Sequence, residues 1–344
     1  MKKRIITLLQ YLFFISLGVF FVWLTVKDIT AQEWQHIRWS LINSRRWLFF
    51  PALIMLLLAH FSRALRWKIL MEPLGYSPST FNVFSVVMIG YLVNAGVPRL
   101  GEVVKCTLLS RYEKVRADRL VGTIVVERAM DLICLIIVFI LALLFQGQII
   151  GHHVSLLFNK FFQDNTGHFS STKLLIVLGS ILFVVLIIYF LLKRFGHIDI
   201  VAKIKNVLIG IVHGLSSIRF IKHKGLFLFH TILIWTLYLL STTVGIYALR
   251  ETGDLGIGAG LTTLAVGSVG MIISPGGIGA YPLFVANLIG LYGVDVKTTG
   301  MALGWMLWAF QTVVILVGGI IFTILFSFYN KKIVHSANGQ QHTE

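Results

Sequence analysis

The sequence predicts an all-α polytopic membrane protein. About eight hydrophobic segments are read as six full spans plus two re-entrant hairpins in an inverted-repeat arrangement. Three observations carry this. Apolar residues make up 57% of the 344 and charged residues only 13%, against about 25% in soluble domains, and mean hydropathy is +0.85. Uncharged runs long enough to approach a ~30 Å hydrocarbon core recur along the chain. Finally, the basic residues sit at the ends of those runs. A net charge of +16 would suit nucleic acid, but Lys and Arg that flank apolar spans report membrane topology, so no nucleic-acid partner is expected. Cys106 and Cys134 are isolated, and no CxxC or His/Cys ligand spacing occurs, so neither a metal nor a cofactor is expected. The adjacent His152 and His153 have no nearby carboxylate or thiol and read as solvated loop residues.

Lys2-Lys3-Arg4 precedes residues 5–26, which carry no charge. That run is too long for a signal-peptide core and lacks a small-x-small cleavage site, so it reads as a retained first span. Residues 27–46 place Trp34, Ile37 and Leu41 at helical spacing with Trp39 and Trp47 close by, the pattern of a helix lying at the interface. Residues 47–70 form the second span. Its end carries Arg63, Arg66, Trp67 and Lys68; the two arginines share a face and are read as snorkelling anchors, with phosphate contact as the alternative. Glu72-Pro73-Leu74-Gly75 is a turn.

Residues 81–110 are apolar on both sides of a break at Pro98. They read as a re-entrant hairpin, because a full crossing would put Arg111, Lys114, Arg116 and Arg119 outside. Residues 120–145 are a span, 146–172 a polar outer loop, and 174–192 a span closed by Lys193-Arg194. Residues 198–220 have amphipathic helical spacing, either lying on the cytoplasmic surface or packed under the bundle. Residues 226–249 cross again. The runs 257–274 and 283–293 flank Pro275-Gly276-Gly277-Ile278-Gly279-Ala280-Tyr281-Pro282, a second re-entrant hairpin from the opposite face. Residues 300–328 are the last span. This makes 1–330 one integral membrane domain and 331–344 a cytoplasmic polar tail. With that topology 22 of the 30 Lys and Arg lie inside, and both termini are cytoplasmic.

The uncharged run 132–145 is about 21 Å long as a helix, so its span must begin near Val126. Glu127, Arg128 and Asp131 then lie inside the bilayer, where each would cost roughly 2.5–3.5 kcal/mol against lipid. Their i,i+3 and i,i+4 spacing lets Arg128 pair with Asp131 and compensate both acids. Just upstream stand Asn94, Arg99, Glu102 and Lys105, around the Pro98 break. Two readings stay open. One is an ion-pair lock between helices; the other, favoured by the rule that intramembrane charge marks function, is a site for a polar ligand. At the second break, glycines at 276, 277 and 279 and the following short helix offer backbone N–H groups to an anion, unless the turn is only a tight connection.

Taken together, Arg66-Trp67, Asn94…Pro98-Arg99-x-Gly101-Glu102-x-x-Lys105, Glu127-Arg128-x-x-Asp131 and Pro275-Gly276-Gly277-x-Gly279 resemble, in type and order, the lysylphosphatidylglycerol synthase transmembrane region family. The resemblance runs over about residues 5–327. It implies an eight-segment flippase-like fold with re-entrant helices and the movement of an aminoacylated phospholipid between leaflets. Two departures bear on that. No acidic residue stands near Pro282 to hold a ligand amine, and the soluble aminoacyl-transferase domain is expected to be missing, the chain stopping at Glu344.

The expected function is a lipid flippase or lipid-binding transporter of a bacterial-type inner membrane, not an enzyme. Its substrate is an anionic or zwitterionic phospholipid or a lipid-linked phosphate. Arg66, Asn94, Arg99, Glu102, Lys105, Glu127, Arg128, Asp131, Pro275, Gly276, Gly277, Gly279 and Tyr281 form the expected substrate site. Arg99, Lys105 and Arg128 take phosphate; Glu102, Glu127 and Asp131 balance charge or hold an amine. A homodimer or a partner lipid-synthesis enzyme is the expected company. The alternatives are a membrane transferase acting on a polyprenyl phosphate, for which the outer acids are too scattered, and a non-transporting regulator of a lipid enzyme. No Walker A motif supports ATP hydrolysis.

Overall fold

A computed structural model describes residues 16–162 and 221–340, and all the described elements are helical. In order they are α1 (Ser16–Val26), α2 (Ala31–Ile42), α3 (Phe49–Met71), α4 (Thr80–Gly96), α5 (Leu100–Glu113), α6 (Ala117–Phe162), α7 (Lys224–Ala248), α8 (Ile257–Ile273), α9 (Ala280–Gly290) and α10 (Met301–Gln340). Helices α3, α6, α7 and α10 supply four stretches long and apolar enough to cross a bilayer; α1, α4, α8 and α9 are shorter apolar helices. This is a multi-pass membrane protein with an all-helical bundle. The start of the expected first span, the span at 174–192 and the amphipathic stretch at 198–220 lie outside the described residues.

Local chemistry sets the boundaries. Helix α2 opens on a capping box in which the Thr30 backbone N–H donates to Glu33 Oε2 at 2.6 Å and the Glu33 N–H donates to Thr30 Oγ1 at 3.3 Å. The bond from the Thr30 N–H, and after it the one that Thr30 Oγ1 donates to Glu33 Oε2 at 2.8 Å, hold the Glu33 carboxyl below its ordinary range. Ile37 is buried and Leu41 half-buried while Trp34 and Trp39 stay exposed, so α2 lays one face, narrower than the expected Trp34–Ile37–Leu41 stripe, against the protein. Helix α3 carries Pro51 in its first turn, where a missing N–H costs nothing, and the chain turns after Leu74 at Gly75, left-handed at φ 83°.

Helices α4 and α5 meet at a break. Val97 is extended and Arg99 is left-handed at φ 68°. Gly101 is what lets the two helices close, since a Cβ there would lie 1.9 Å from the Gly90 carbonyl oxygen. Helices α8 and α9 meet at a second break, a turn over Pro275–Gly277 with Gly276, Gly277 and Gly279 all at positive φ.

The two halves are built alike. Helices α3 to α6 and α7 to α10 each run long, 17-residue, short, long. Helix α3 packs on α7, α4 on α10 and α8 on α6, while α4 pairs with α5 and α8 with α9. Exchanging the halves maps each of these pairings onto another or onto itself. Each half therefore lays its 17-residue helix on the last long helix of the other.

One expectation needs correction. Residues 146–162 are not an irregular outer loop, because α6 continues through them past one non-helical residue, Gln146. The last helix also runs on without a break, α10 reaching Gln340 within the polar stretch that follows residue 330. In both places the chain carries no Pro and few Gly, so once a long apolar helix exists nothing local stops it, whatever the polarity of the next residues.

Candidate functional site

Helices α3 and α6 face each other antiparallel through two polar ridges. On α3 the ridge is His60, Arg63, Arg66 and Trp67; on α6 it is Thr123, Glu127 and Asp131. The spacing of three and four puts each set on one face. At one end Trp67 Nε1 donates to Thr123 Oγ1 at 2.8 Å. In the middle Arg63 Nη1 donates to Glu127 Oε1 at 3.2 Å and also to Asp131 Oδ2, while Arg66 Nη2 donates to Asp131 Oδ1 at 2.6 Å. Lys105 enters from α5. Its Nζ lies 3.3 Å from Glu127 Oε2 and 4.3 Å from the Trp67 ring centroid. Glu127 and Arg66 are wholly buried.

The wall behind is aromatic. The Tyr91 ring of α4 sits 4.8 Å from the His60 ring, the Phe227 ring of α7 lies 6.0 Å from the Arg66 guanidinium carbon, and the Tyr238 hydroxyl accepts from Arg63 Nη2 at 3.5 Å. Donors outnumber acceptors here. Arg63 Nε, Arg66 Nε, Arg66 Nη1 and His60 Nδ1 are buried with no hydrogen-bond partner among the described residues. A buried guanidinium with two idle nitrogens is costly and marks a place where a further acceptor would be stabilised.

Arg66, Lys105, Glu127 and Asp131 are thus brought together. Arg128 is not among them. It points out of the bundle and pairs with Glu102 at 3.2 Å, with side chains 43% and 32% exposed. The expected Arg128–Asp131 pair is corrected: Arg63 and Arg66 take the acids, because residue 128 lies one position round the helix from the buried 127 and 131. The two arginines are therefore not snorkelling anchors; their heads are buried in ion pairs rather than carried to water. Arg63 belongs to the site, and its signal in the sequence was the i,i+3 relation to Arg66.

The remaining residues build the breaks. Asn94 Oδ1 accepts from the Gly101 N–H at 2.8 Å and latches α4 to α5. Arg99 is exposed at the tip and makes no ion pair among the described residues. Across from it, Gly276 comes up against α4, a Cβ there falling 3.9 Å from Ala95 Cα, so the two breaks touch. Trp308 Nε1 of α10 ties the second turn by donating to the Gly276 carbonyl at 2.9 Å. Pro275 opens that turn. Gly277 lies against Met271 and Tyr281, Gly279 against Phe21 and Val22 of α1, and the buried Tyr281 against Gly267 and Gly270. Most of the close approaches that these glycines permit are therefore to protein. The second break carries no charge of its own.

Two of the acids expected on the outer side are engaged elsewhere. Glu251 accepts from Ser40 at 3.0 Å and from Thr299, and Asp295 accepts from the Thr298 N–H at 2.8 Å. Among the described residues no three His, Cys, Asp or Glu side chains converge as metal ligands would.

A UPF0104 membrane protein of Methanocaldococcus jannaschii is 32% identical over 94 residues, which is 26% of this chain and 28% of that protein. The chain therefore matches a little over a quarter of that relative's length. No solved structure matches. The family described as "Lysylphosphatidylglycerol synthase TM region" matches residues 8–319. On that match, spanning most of the chain and containing both breaks and the buried charge cluster, this protein belongs to the lysylphosphatidylglycerol synthase transmembrane region family.

Proposed function

We propose that this protein is a lipid translocase of a bacterial-type inner membrane, passing a phospholipid or lipid-linked phosphate headgroup between its two helix breaks. The observation that carries this is the contact of the breaks at Ala95 and Gly276, next to the charged ridges of α3, α5 and α6. Packing alone needs no buried ions, since lipid-facing helices associate through small residues and van der Waals contact. Charges in such a bundle are expensive and are kept where something polar must pass.

In this reading α4 with α5, and α8 with α9, are re-entrant hairpins entering from opposite faces, so that their tips meet inside the bilayer. Length supports it: 17 residues of α4 reach about 25 Å and 14 of α5 about 21 Å, both short of a ~30 Å core. Both termini are then cytoplasmic. Cysteines placed at Ser79 and Lys114, just outside the two ends of the first pair, should react with an impermeant maleimide from the same side. Labelling from opposite sides would replace the hairpin with two spans.

The route itself is tested by locking it. In a background with Cys106→Ser and Cys134→Ala, the pair Ala95→Cys and Gly276→Cys should cross-link on oxidation, the backbones being within disulfide reach. Proteoliposomes carrying the oxidised pair should stop exchanging fluorescent phospholipid between leaflets and should resume after reduction. Undiminished exchange by the cross-linked protein would remove the path between the breaks. If the unlocked protein moves no lipid at all, the regulator reading takes its place.

A further inference from the structure

We infer that the headgroup bound at this site is a net-anionic phosphodiester without an amine, rather than an aminoacylated one. The inference rests on the ligand-site reading above and narrows it. Its ground is the balance of donors and acceptors around α3, α5 and α6. Arg63, Arg66, Lys105 and Arg128 bring four cations, and Glu102, Glu127 and Asp131 three carboxylates. The site holds one positive charge in excess among the described residues.

The acids are spent. Each oxygen of Glu127 faces a cation, Oε1 toward Arg63 and Oε2 toward Lys105, and each oxygen of Asp131 faces an arginine. Glu102 is held by Arg128. An incoming ammonium would have to displace one of these partners and would raise the buried charge to two. The donors, in contrast, have capacity left, because Arg66 uses one nitrogen of three and Arg63 Nε is idle. Arg66 Nε and Nη1 keep free N–H groups on either side of the Nη2 that Asp131 holds, each able to give a charge-assisted hydrogen bond to one phosphate oxygen. A phosphodiester brings one negative charge and acceptor oxygens but no donor, which is what the cluster lacks.

The second break offers no rescue for an amine. Residues 275–282 contain no acid, and Trp308 already donates to the Gly276 carbonyl. Asp254 and Asp295, the described acids that flank α8 and α9, lie outside those helices, and Asp295 is engaged in capping Thr298. Arg128 and Glu102, partly exposed over Lys105 and Glu127, are the one cluster pair that can part without stranding a buried charge. They stand where a headgroup would enter between α5 and α6.

The test is thermal unfolding of the full chain in non-ionic detergent with four probes. These are short-chain phosphatidylglycerol, short-chain phosphatidylcholine, short-chain lysyl-phosphatidylglycerol and the soluble diester glycerophosphoglycerol. Phosphatidylglycerol should raise the midpoint at a concentration about tenfold lower than the choline or lysyl lipid, the value of one charge-assisted hydrogen bond. Arg66→Gln cancels the excess charge and the idle guanidinium donors together, and should abolish that preference. Asp131→Asn raises the excess to two and should widen it. These opposite signs separate ligand recognition from damage to the fold. Loss of the preference in both variants, or equal or better protection by the lysyl or choline lipid, would overturn the inference and leave the translocase reading untouched. Equal protection by glycerophosphoglycerol would keep the phosphodiester and overturn the lipid as its source. Protection by phosphatidylglycerol without leaflet exchange in proteoliposomes would keep the ligand and remove the transport.

Discussion

Replacing Glu127 with alanine should destabilise the fold by about 3–5 kcal/mol, the usual cost of breaking a buried ion pair from one side. Glu127 is 0% exposed and holds cations from two other helices, Arg63 of α3 and Lys105 of α5. Its loss leaves both beside Arg66 in a low dielectric. Arg128→Ala should cost less than about 1 kcal/mol, because its pair with Glu102 is open to solvent and surface pairs contribute little. The comparison is read from thermal or chemical unfolding in one detergent. A double variant, Glu127→Met with Lys105→Met, should recover part of the loss, since it removes both members of one pair. Equal losses from Glu127→Ala and Arg128→Ala would mean that the cluster is hydrated and contributes little to holding the helices.

The second large effect is expected at Gly101. A single methyl there would sit 1.9 Å from the Gly90 carbonyl oxygen and 2.7 Å from Asn94 Oδ1. The first neighbour is backbone and cannot rotate away, so α4 and α5 must separate. That separation breaks the Asn94 latch and carries Lys105 off Glu127, because a Cβ at Gly90 would already lie 2.6 Å from the Lys105 side chain. Gly101→Ala should therefore cost at least about 1–3 kcal/mol, the range for overpacking, with folding yield falling alongside. Gly96→Ala is the matched control. It ends α4, across the break from Gly101 in α5, has no neighbour within 4 Å, and should be neutral or slightly stabilising. If both variants behave alike, the hairpin is looser than its packing implies and its tip is free to move without breaking contacts.

Much of this was legible in the chain. Four long spans follow from hydropathy, because a bilayer admits only helices that satisfy their own backbone. The breaks at Pro98 and at Pro275–Gly277 follow from residues that cannot continue a helix, and both occur where they were expected. That Glu127 and Asp131 must be compensated also followed, since no charge on a short span can be left to lipid. The extent of α6 does not follow from hydropathy, because polar residues alone do not end a helix where no breaker stands among them.

The choice of partners belongs to the tertiary structure. Spacing along α6 shows that Arg128 can reach Asp131, yet it does not fix which way the helix is turned. Rotation is set by the whole buried face: Thr123, Glu127 and Asp131 point inward with Val126 and Ala129, and residue 128 is carried outward with them. The acids then meet cations 22 to 68 residues away, on helices whose approach depends on Gly90, Gly101 and the aromatic wall. The contact of the two breaks has the same origin. Each break is written locally, but Gly276 reaches Ala95 only because α4 lies on α10 and α8 on α6. The sequence by itself determined that this protein is a helical membrane bundle with two interrupted helices and a buried charge to satisfy. Which charges satisfy it, and that the interruptions meet, depended on long-range packing, since Coulomb attraction in a low dielectric rewards whichever partner the fold brings near.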